Sequence, residues 1–297
     1  MLTVAIFCRD GFCTLHKNSR FAKDTIMIKT CFVLGAGGAR GIAHIGFLQA
    51  MDENGIKPDF IAGCSMGSVI GGCYANGMSP SDMLKIVNTI KMNQIADASL
   101  FPFNKKSILK SSKLRKRLEE LLGDVTFDKL KIPFECIAGD IVTGEVVVLK
   151  EGCVAEAVRA SSAIPAVFRP VEMGDKVLVD GGIFMPLPLT CVKDFNADAV
   201  IVVDVLGPLP DYQRNKGLLN HVLRTVDANS AFMRRRQLKT FRHDLLICPE
   251  LGNMSQFKVE NLQFAYEQGY KAGLENAEKI KAIIEKKREQ KLRSSDR

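Results

Sequence analysis

Thr30-Cys31-Phe32-Val33-Leu34-Gly35-Ala36-Gly37-Gly38-Ala39-Arg40-Gly41 is the stretch on which the fold turns. Its first five residues form a short, largely apolar run of the kind buried inside a parallel sheet. A glycine-rich turn follows. Ile42, Ile45, Leu48 and Met51 then recur at helical spacing, and Asn54-Gly55 supplies a C-terminal stop, so a helix is expected over about 41–54. Pro58-Asp59-Phe60-Ile61-Ala62 reads as a second short strand. It leads into Gly63-Cys64-Ser65-Met66-Gly67 and a helix from about 66 to 76, closed by Asn76-Gly77.

Both turns carry chemistry. Glycines at 35, 37, 38 and 41 let backbone N–H groups approach a negatively charged ligand at a helix start. One reading is dinucleotide binding. The GxGxxG spacing fails, however, because Arg40 stands at the last position, and no acidic residue ends the second strand to hold a ribose. The other reading is an oxyanion hole. Gly63-Cys64-Ser65-Met66-Gly67 fits GxSxG, in which a serine occupies a sharp strand-to-helix turn between small neighbours. Ser65 follows Gly41 by 24 residues, room for one helix and one strand. A right-handed crossover of that length sets both turns at the C-terminal ends of neighbouring parallel strands. The amides of Gly37 and Gly38 could then face an oxyanion formed on a carbonyl attacked by Ser65, each donor being worth ~3 kcal/mol of barrier.

Such a serine needs a base. Asp180-Gly181-Gly182 follows the strand-like Lys176–Val179 and offers a carboxylate on a tight turn, either as the partner of Ser65 or as an ordinary Asp-Gly turn. Histidines at 16, 44, 221 and 243 are the other candidates, and the order Ser65…Asp…His221 or His243 leaves an α/β-hydrolase triad open. His44 and Asp204 read as structural groups.

Further strands are expected at 134–138, 145–149, 176–179, 199–205 and 244–248. A helix-rich insert spans about 80–123, with the stripe Leu114, Leu118, Leu121, Leu122 stopped by Gly123. Long helices are expected over 217–240 and about 261–288. Alternation of this kind implies an α/β protein with a mainly parallel central sheet and helices on both faces. Residues 1–26 lack sustained periodicity and read as a poorly ordered extension, 27–275 as one catalytic domain, and 276–297 as a helix end with a polar tail.

Composition agrees with a globular chain: 297 residues, 46% apolar and 25% charged. A chain of that length buries about 75% of its unfolded surface without disulfides or metal. The net charge of +8 favours an anionic partner. Nine scattered cysteines without a CxxC pair argue for free, mostly buried thiols in a reducing cytoplasm rather than a zinc or redox site. No apolar run is long enough to span a bilayer. Lys105, Lys106, Lys110, Lys113, Arg115, Lys116 and Arg117 form one basic patch, either an interfacial lid or the outer face of a core-facing helix. Arg234, Arg235, Arg236, Lys239 and Arg242 form a second, beside Phe232, Leu238 and Phe241, which read as core.

Taken together, Gly37-Gly38-Ala39-Arg40-Gly41, Gly63-x-Ser65-x-Gly67 and Asp180-Gly181-Gly182 resemble the patatin-like phospholipase family, over residues 28 to 275. Ser161-Ser162-Ala163-Ile164-Pro165, with Phe168 and Pro170, resembles a block these proteins share before the aspartate. The resemblance implies a three-layer α/β/α sandwich and a serine lipid acyl hydrolase with a Ser65–Asp180 dyad, the Gly37 and Gly38 amides as oxyanion hole, and no cofactor or metal. Arg40 would either bind a phosphate head group or brace its loop through a carboxylate. The implied partner is a phospholipid or other lipid ester, with peripheral contact to an anionic membrane surface and no nucleic acid. A non-catalytic lipid-binding regulator on the same fold is the alternative outside the enzymes. Ala36 departs from the family, which usually has glycine there. If that position requires positive φ, alanine costs ~1 kcal/mol or slightly more.

Overall fold

The computed structural model describes residues 26–89, 106–165, 167–209, 217–258 and 260–295. The expected N-terminal extension, Lys105 and part of the helix-rich insert lie outside the described residues. Eight strands form one sheet: β1 (Thr30–Leu34), β2 (Phe60–Cys64), β3 (Phe134–Asp140), β4 (Val146–Leu149), β5 (Val171–Met173), β6 (Lys176–Asp180), β7 (Ala199–Val203) and β8 (Leu245–Ile247). Around it lie α1 (Ala43–Glu53), α2 (Met66–Ala75), α3 (Pro80–Thr89), α4 (Lys106–Leu122), α5 (Val154–Ser161), α6 (Cys191–Phe195), α7 (Gly217–Thr240) and α8 (Leu262–Ser295). Sequence patterning missed α5, α6 and β5, which are too short to show a period.

The sheet order is β5-β6-β3-β2-β1-β7-β8, with β4 also paired to β3. Strands β3, β2, β1, β7 and β8 are parallel neighbours, whereas β3–β4, β3–β6 and β5–β6 are antiparallel. The antiparallel corner follows from loop length. The turns between β3 and β4 and between β5 and β6 are far too short for a crossover and allow only hairpins.

Alternation along β1 builds two cores. Phe32 and Leu34 face the layer of α1–α5 and α8, with Phe47, Ile45, Ile70, Leu118 and Leu122. Cys31 and Val33 face the other layer, with Leu187, Leu189, Cys191 and the partly buried Phe195, Leu238 and Phe241. The result is a three-layer α/β/α sandwich whose central strands are buried on both faces. The leucine stripe of α4 packs into the first core, Leu118 and Leu122 fully and Leu114 and Leu121 in part. The described part of the first basic patch therefore belongs to a core-facing helix, with Arg115 paired to Glu119 and Arg117 to Glu120. Phe232 departs from expectation. It stands 50% exposed on α7, with the guanidinium of Arg236 over its ring.

Helix stops behave as the glycines predict. Asn54-Gly55 closes α1, with Gly55 at φ 68° and the Ile56 amide donating to the Met51 carbonyl. The C-terminal segment differs, because α8 continues as helix to Ser295 in place of a polar tail. Its end is tied down at the N-terminal edge of the strands: Lys287 pairs with Asp244, and Lys291 pairs with Asp198 and donates to the Met27 carbonyl at 3.3 Å.

Helix α8 lies so close to α1 that a Cβ on Gly269 would stand 1.9 Å from the Ala43 carbonyl oxygen. Gly269→Val should therefore force the helices apart and lower the unfolding free energy by about 2–4 kcal/mol in urea denaturation.

Candidate active site

Two strands meet tip to tip along one edge of β3. Strand β2 runs parallel to β3 and its last pair is Cys64 with Ile137. Strand β6 runs antiparallel to β3 and its last pair is Asp180 with Ala138. Strand β4 occupies the opposite edge of the same residues. The residue after Cys64 is thus driven into the last residue of β6. Ser65 Oγ donates to Asp180 Oδ2 at 2.5 Å, and both residues are buried.

Ser65 sits at φ 51°, ψ −123°, between β2 and α2. A non-glycine residue there costs roughly 1–3 kcal/mol, which the surroundings must offset. Its N–H donates to Ser161 Oγ at 3.0 Å, and its carbonyl accepts from the Ser68 hydroxyl at 2.6 Å and the Ser68 amide at 2.8 Å. Gly63, one residue before the end of β2, lies beneath the start of α2, where a Cβ would fall 2.6 Å from Ser68 Cα. Gly67 lies against β1, where a Cβ would fall 2.2 Å from the Leu34 carbonyl oxygen. Ser161 was not singled out as a site residue in the sequence. Its signal is the Ser161–Pro165 block before β5.

Asp180 is fixed from two further sides. Its Oδ1 accepts the Gly182 amide at 2.7 Å, and its own amide donates to the Ala163 carbonyl at 2.9 Å. Gly181 packs beneath the turn against the Ile137 carbonyl. Burial raises the Asp180 carboxyl to about 6, although the bonds from Ser65 and Gly182 pull it down. The buried guanidinium of Arg234 is engaged elsewhere: it pairs with buried Asp204 and donates to the Gly207 carbonyl at 2.7 Å.

The glycine turn lies on the neighbouring strand. Residues Gly38–Ile42 form a 3-10 turn running directly into α1, and Gly41 packs on the Met66 side chain beside Ser65. Gly38 takes φ 50°, and a Cβ there would fall 2.2 Å from the Gln256 carbonyl oxygen, so only glycine fits. Among the described residues, the amides of Gly37 and Gly38 have no acceptor, while Ala39 donates to the Gln256 carbonyl at 2.9 Å and Arg40 to the Gly37 carbonyl at 3.0 Å. Ala36 is not at positive φ, so alanine carries no backbone strain there. It touches the Gly182 position beside the Asp180 carboxylate.

Arg40 braces this turn, but through carbonyls and not through a carboxylate. The buried guanidinium donates from Nε to Val205 at 2.7 Å and from Nη1 to Met254 at 3.0 Å and Gly252 at 3.3 Å. Residues 252–256 thereby form a strap over the glycine turn, and Gln256 is in turn bonded to Asp227 of α7. The strap has no sequence signature, because backbone carbonyls do the bracing. His44 lies fully buried under the same turn. Its Nε2 bonds the Gly35 carbonyl at 2.8 Å, and burial pulls its pKa down to about 4, so the ring is neutral. His221 and His243 bond the carbonyls of Gly217 and Phe241, and neither is a partner of Ser65.

Among the described residues, five cysteines (31, 64, 73, 136 and 191) are buried, Cys153 is half-buried and Cys248 exposed, all as free thiols. No group of three or more His, Cys, Asp or Glu among them is placed to hold a metal ion. No helix among them is long and apolar enough to cross a membrane.

Residues 32–191 match the family model of the patatin-like phospholipases. An uncharacterized NTE family protein of Mycobacterium tuberculosis is 35% identical over 208 residues, which is 67% of this chain and 57% of that protein. The chain thus spans little more than half the length of the mycobacterial relative. A lysophospholipase of Cryptococcus neoformans is 33% identical over 200 residues, 64% of this chain but 12% of that protein. Among solved structures, VipD from Legionella pneumophila superposes with a TM-score of 0.53 at 15% identity, covering 87% of this chain and 67% of that one. The human GIVD cytosolic phospholipase A2 gives 0.50 at 9% identity, covering 91% and 62%. At those identities the likeness is one of fold.

A carboxyl raised to about 6 binds its proton more tightly in the folded than in the unfolded chain, so its contribution to stability is lost as the pH rises from the unfolded value of 3.8 through about 6, and the loss is complete above that. Asp180→Asn should therefore raise the unfolding free energy at pH 8 by up to about 3 kcal/mol, with the gain shrinking towards zero as the pH falls below the unfolded value of 3.8, where the carboxyl is neutral in both states. Urea denaturation across that pH range checks this.

Proposed function

The chain belongs to the patatin-like phospholipase family, and from that membership and the geometry of its buried dyad we propose that it is a serine hydrolase cleaving acyl esters of phospholipids or lysophospholipids. The observation that carries this reading is the 2.5 Å hydrogen bond from Ser65 Oγ to Asp180 Oδ2.

In the proposed reaction Ser65 Oγ attacks the ester carbonyl carbon and its proton passes to Asp180 Oδ2. The carbonyl oxygen becomes an oxyanion, held by the amides of Gly37 and Gly38, which have no other acceptor among the described residues. Collapse of the tetrahedral species breaks the ester bond, and the leaving alkoxide takes the proton from Asp180. Water then attacks the acyl-serine, giving its proton to the same carboxylate. The second collapse releases the fatty acid and returns the proton to Ser65. Arg40 serves here as the brace of the oxyanion turn, since its Nε and Nη1 donors are occupied by carbonyls. A carboxylate raised to about 6 is a stronger base than an ordinary aspartate yet still ionised at neutral pH. A histidine-based triad has no support, because Asp180 itself holds Ser65.

Labelling with a fluorophosphonate probe tests nucleophile and base together. Ser65→Ala should abolish labelling, and Asp180→Asn should slow it by about 10²-fold or more. The double variant His221→Ala/His243→Ala should label at the native rate. A native rate in Asp180→Asn would overturn the dyad.

The base must be ionised to work. The rate constant kcat/KM on a soluble ester should therefore fall about tenfold per pH unit below about 6 and level off above it, measured at pH values low enough to resolve the limb but within the folded range.

A further inference from the structure

Four of the large apolar side chains exposed among the described residues gather at one end of the molecule: Ile141, Val142, Leu209 and Phe264. It is the end at which Ser65 and Asp180 meet. Ile141 and Val142 follow β3 directly, beyond Ala138, the residue that pairs with Asp180. Leu209 lies in the loop that leaves β7 at its C-terminal end. Phe264 is in the first turn of α8, just after the strap that covers the glycine turn.

The tip of the β3–β4 hairpin is built with care. Asp140 Oδ1 accepts the amides of Val142 and Val177, each at 3.1 Å, and Oδ2 accepts the Thr143 hydroxyl at 2.9 Å. The Ile141 amide donates to the Val177 carbonyl at 3.0 Å, tying the tip to β6 and so to the strand that carries Asp180. A buried carboxylate thus fixes a turn whose two aliphatic side chains are 53% and 64% exposed and belong to no core cluster. Single exposed apolar residues need no explanation, but a rigid pair with further apolar side chains around one functional end does. Beside the tip, Lys176 is paired with Asp175 at 3.3 Å.

We propose that this end, led by Ile141 and Val142, docks on the surface of a phospholipid bilayer, its attachment apolar rather than electrostatic. The inference rests on reading the dyad as a lipid acyl hydrolase. The register supplies the scale. The tip stands three to four residues beyond Ala138, roughly 10–13 Å along the strand. Interfacial elements bury their apolar face about 5–10 Å into the headgroup boundary. Immersing the tip to that depth brings the level of the dyad to the lipid surface, where an acyl ester lies.

Co-sedimentation of the full chain with phosphatidylcholine vesicles tests this, using Ser65→Ala so that the lipid stays intact. The Ser65→Ala chain should bind in both low and high salt. The added pair Ile141→Ser/Val142→Ser should weaken binding by about tenfold or more, and Leu209→Ser should weaken it less. With Ser65 present, the same pair should hydrolyse p-nitrophenyl butyrate, a soluble ester, within about twofold of the native rate. Unchanged vesicle binding in both variants, no binding by the parent chain, or binding lost in high salt overturns the proposal. Loss of binding in the variants of a chain that hydrolyses no ester would support the docking face and overturn the hydrolase reading. Leu209→Ser, in a separate loop, keeps the test open should the hairpin pair fail to fold.

Discussion

The structure depends on one strand edge being shared. Residues 134–137 of β3 hold β2, and residues 138–140 hold β6, which comes from the opposite direction. Neither partner can slip along β3 without separating Ser65 from Asp180. A displacement of one residue would also turn every side chain of the slipped strand to the wrong face. The hydroxyl–carboxylate contact is therefore set by backbone hydrogen bonds of the sheet rather than by flexible loops. This rigidity lets a carboxylate be kept in a buried position that raises its pKa.

The glycine turn is held in a different way. It is bordered by carbonyls from Val205, Gly252, Met254 and Gln256, which take up the donors of Arg40 and Ala39. The amides left over are those of Gly37 and Gly38. A cation here saturates neighbouring carbonyls, so that the remaining N–H groups are the ones without an acceptor among the described residues. Helix α7 supports both halves of the site. Ser230 and Asn229 donate to the carbonyls of Gly182 and Ile183, and Asp227 holds the strap through Gln256.

Much of this was legible in the residues. Ser65 and the paired glycines follow from local rules: a strained turn needs small neighbours, and a strand-to-helix junction needs glycine where a carbonyl crosses it. Asp180 does not, since an Asp-Gly turn reads the same with or without a serine beside it, and only the family resemblance singles it out. The strands of the parallel core show as apolar runs between turn residues. What escaped was set by tertiary contact. The antiparallel corner follows from short loops that look alike in sequence whether they reverse a strand or lead to a helix. The Arg40 brace reaches carbonyls more than 160 residues away, and carbonyls leave no mark on residue type. Ala36 shows the opposite case, a departure from the family pattern that needs no compensation because its backbone is ordinary. Phe232 had the periodicity of a core residue, yet its place on the outer face of α7 was decided by Arg234 and Gln237 turning inward.

The tether from Lys291 to the Met27 carbonyl brings the stretch that leads into β1 and the last turns of α8 to one corner, at the N-terminal end of the strands and opposite the end that carries Ser65. A chain trimmed to residues 27–291 would begin and end at that corner, so a short peptide could close it into a ring with new ends opened in another loop.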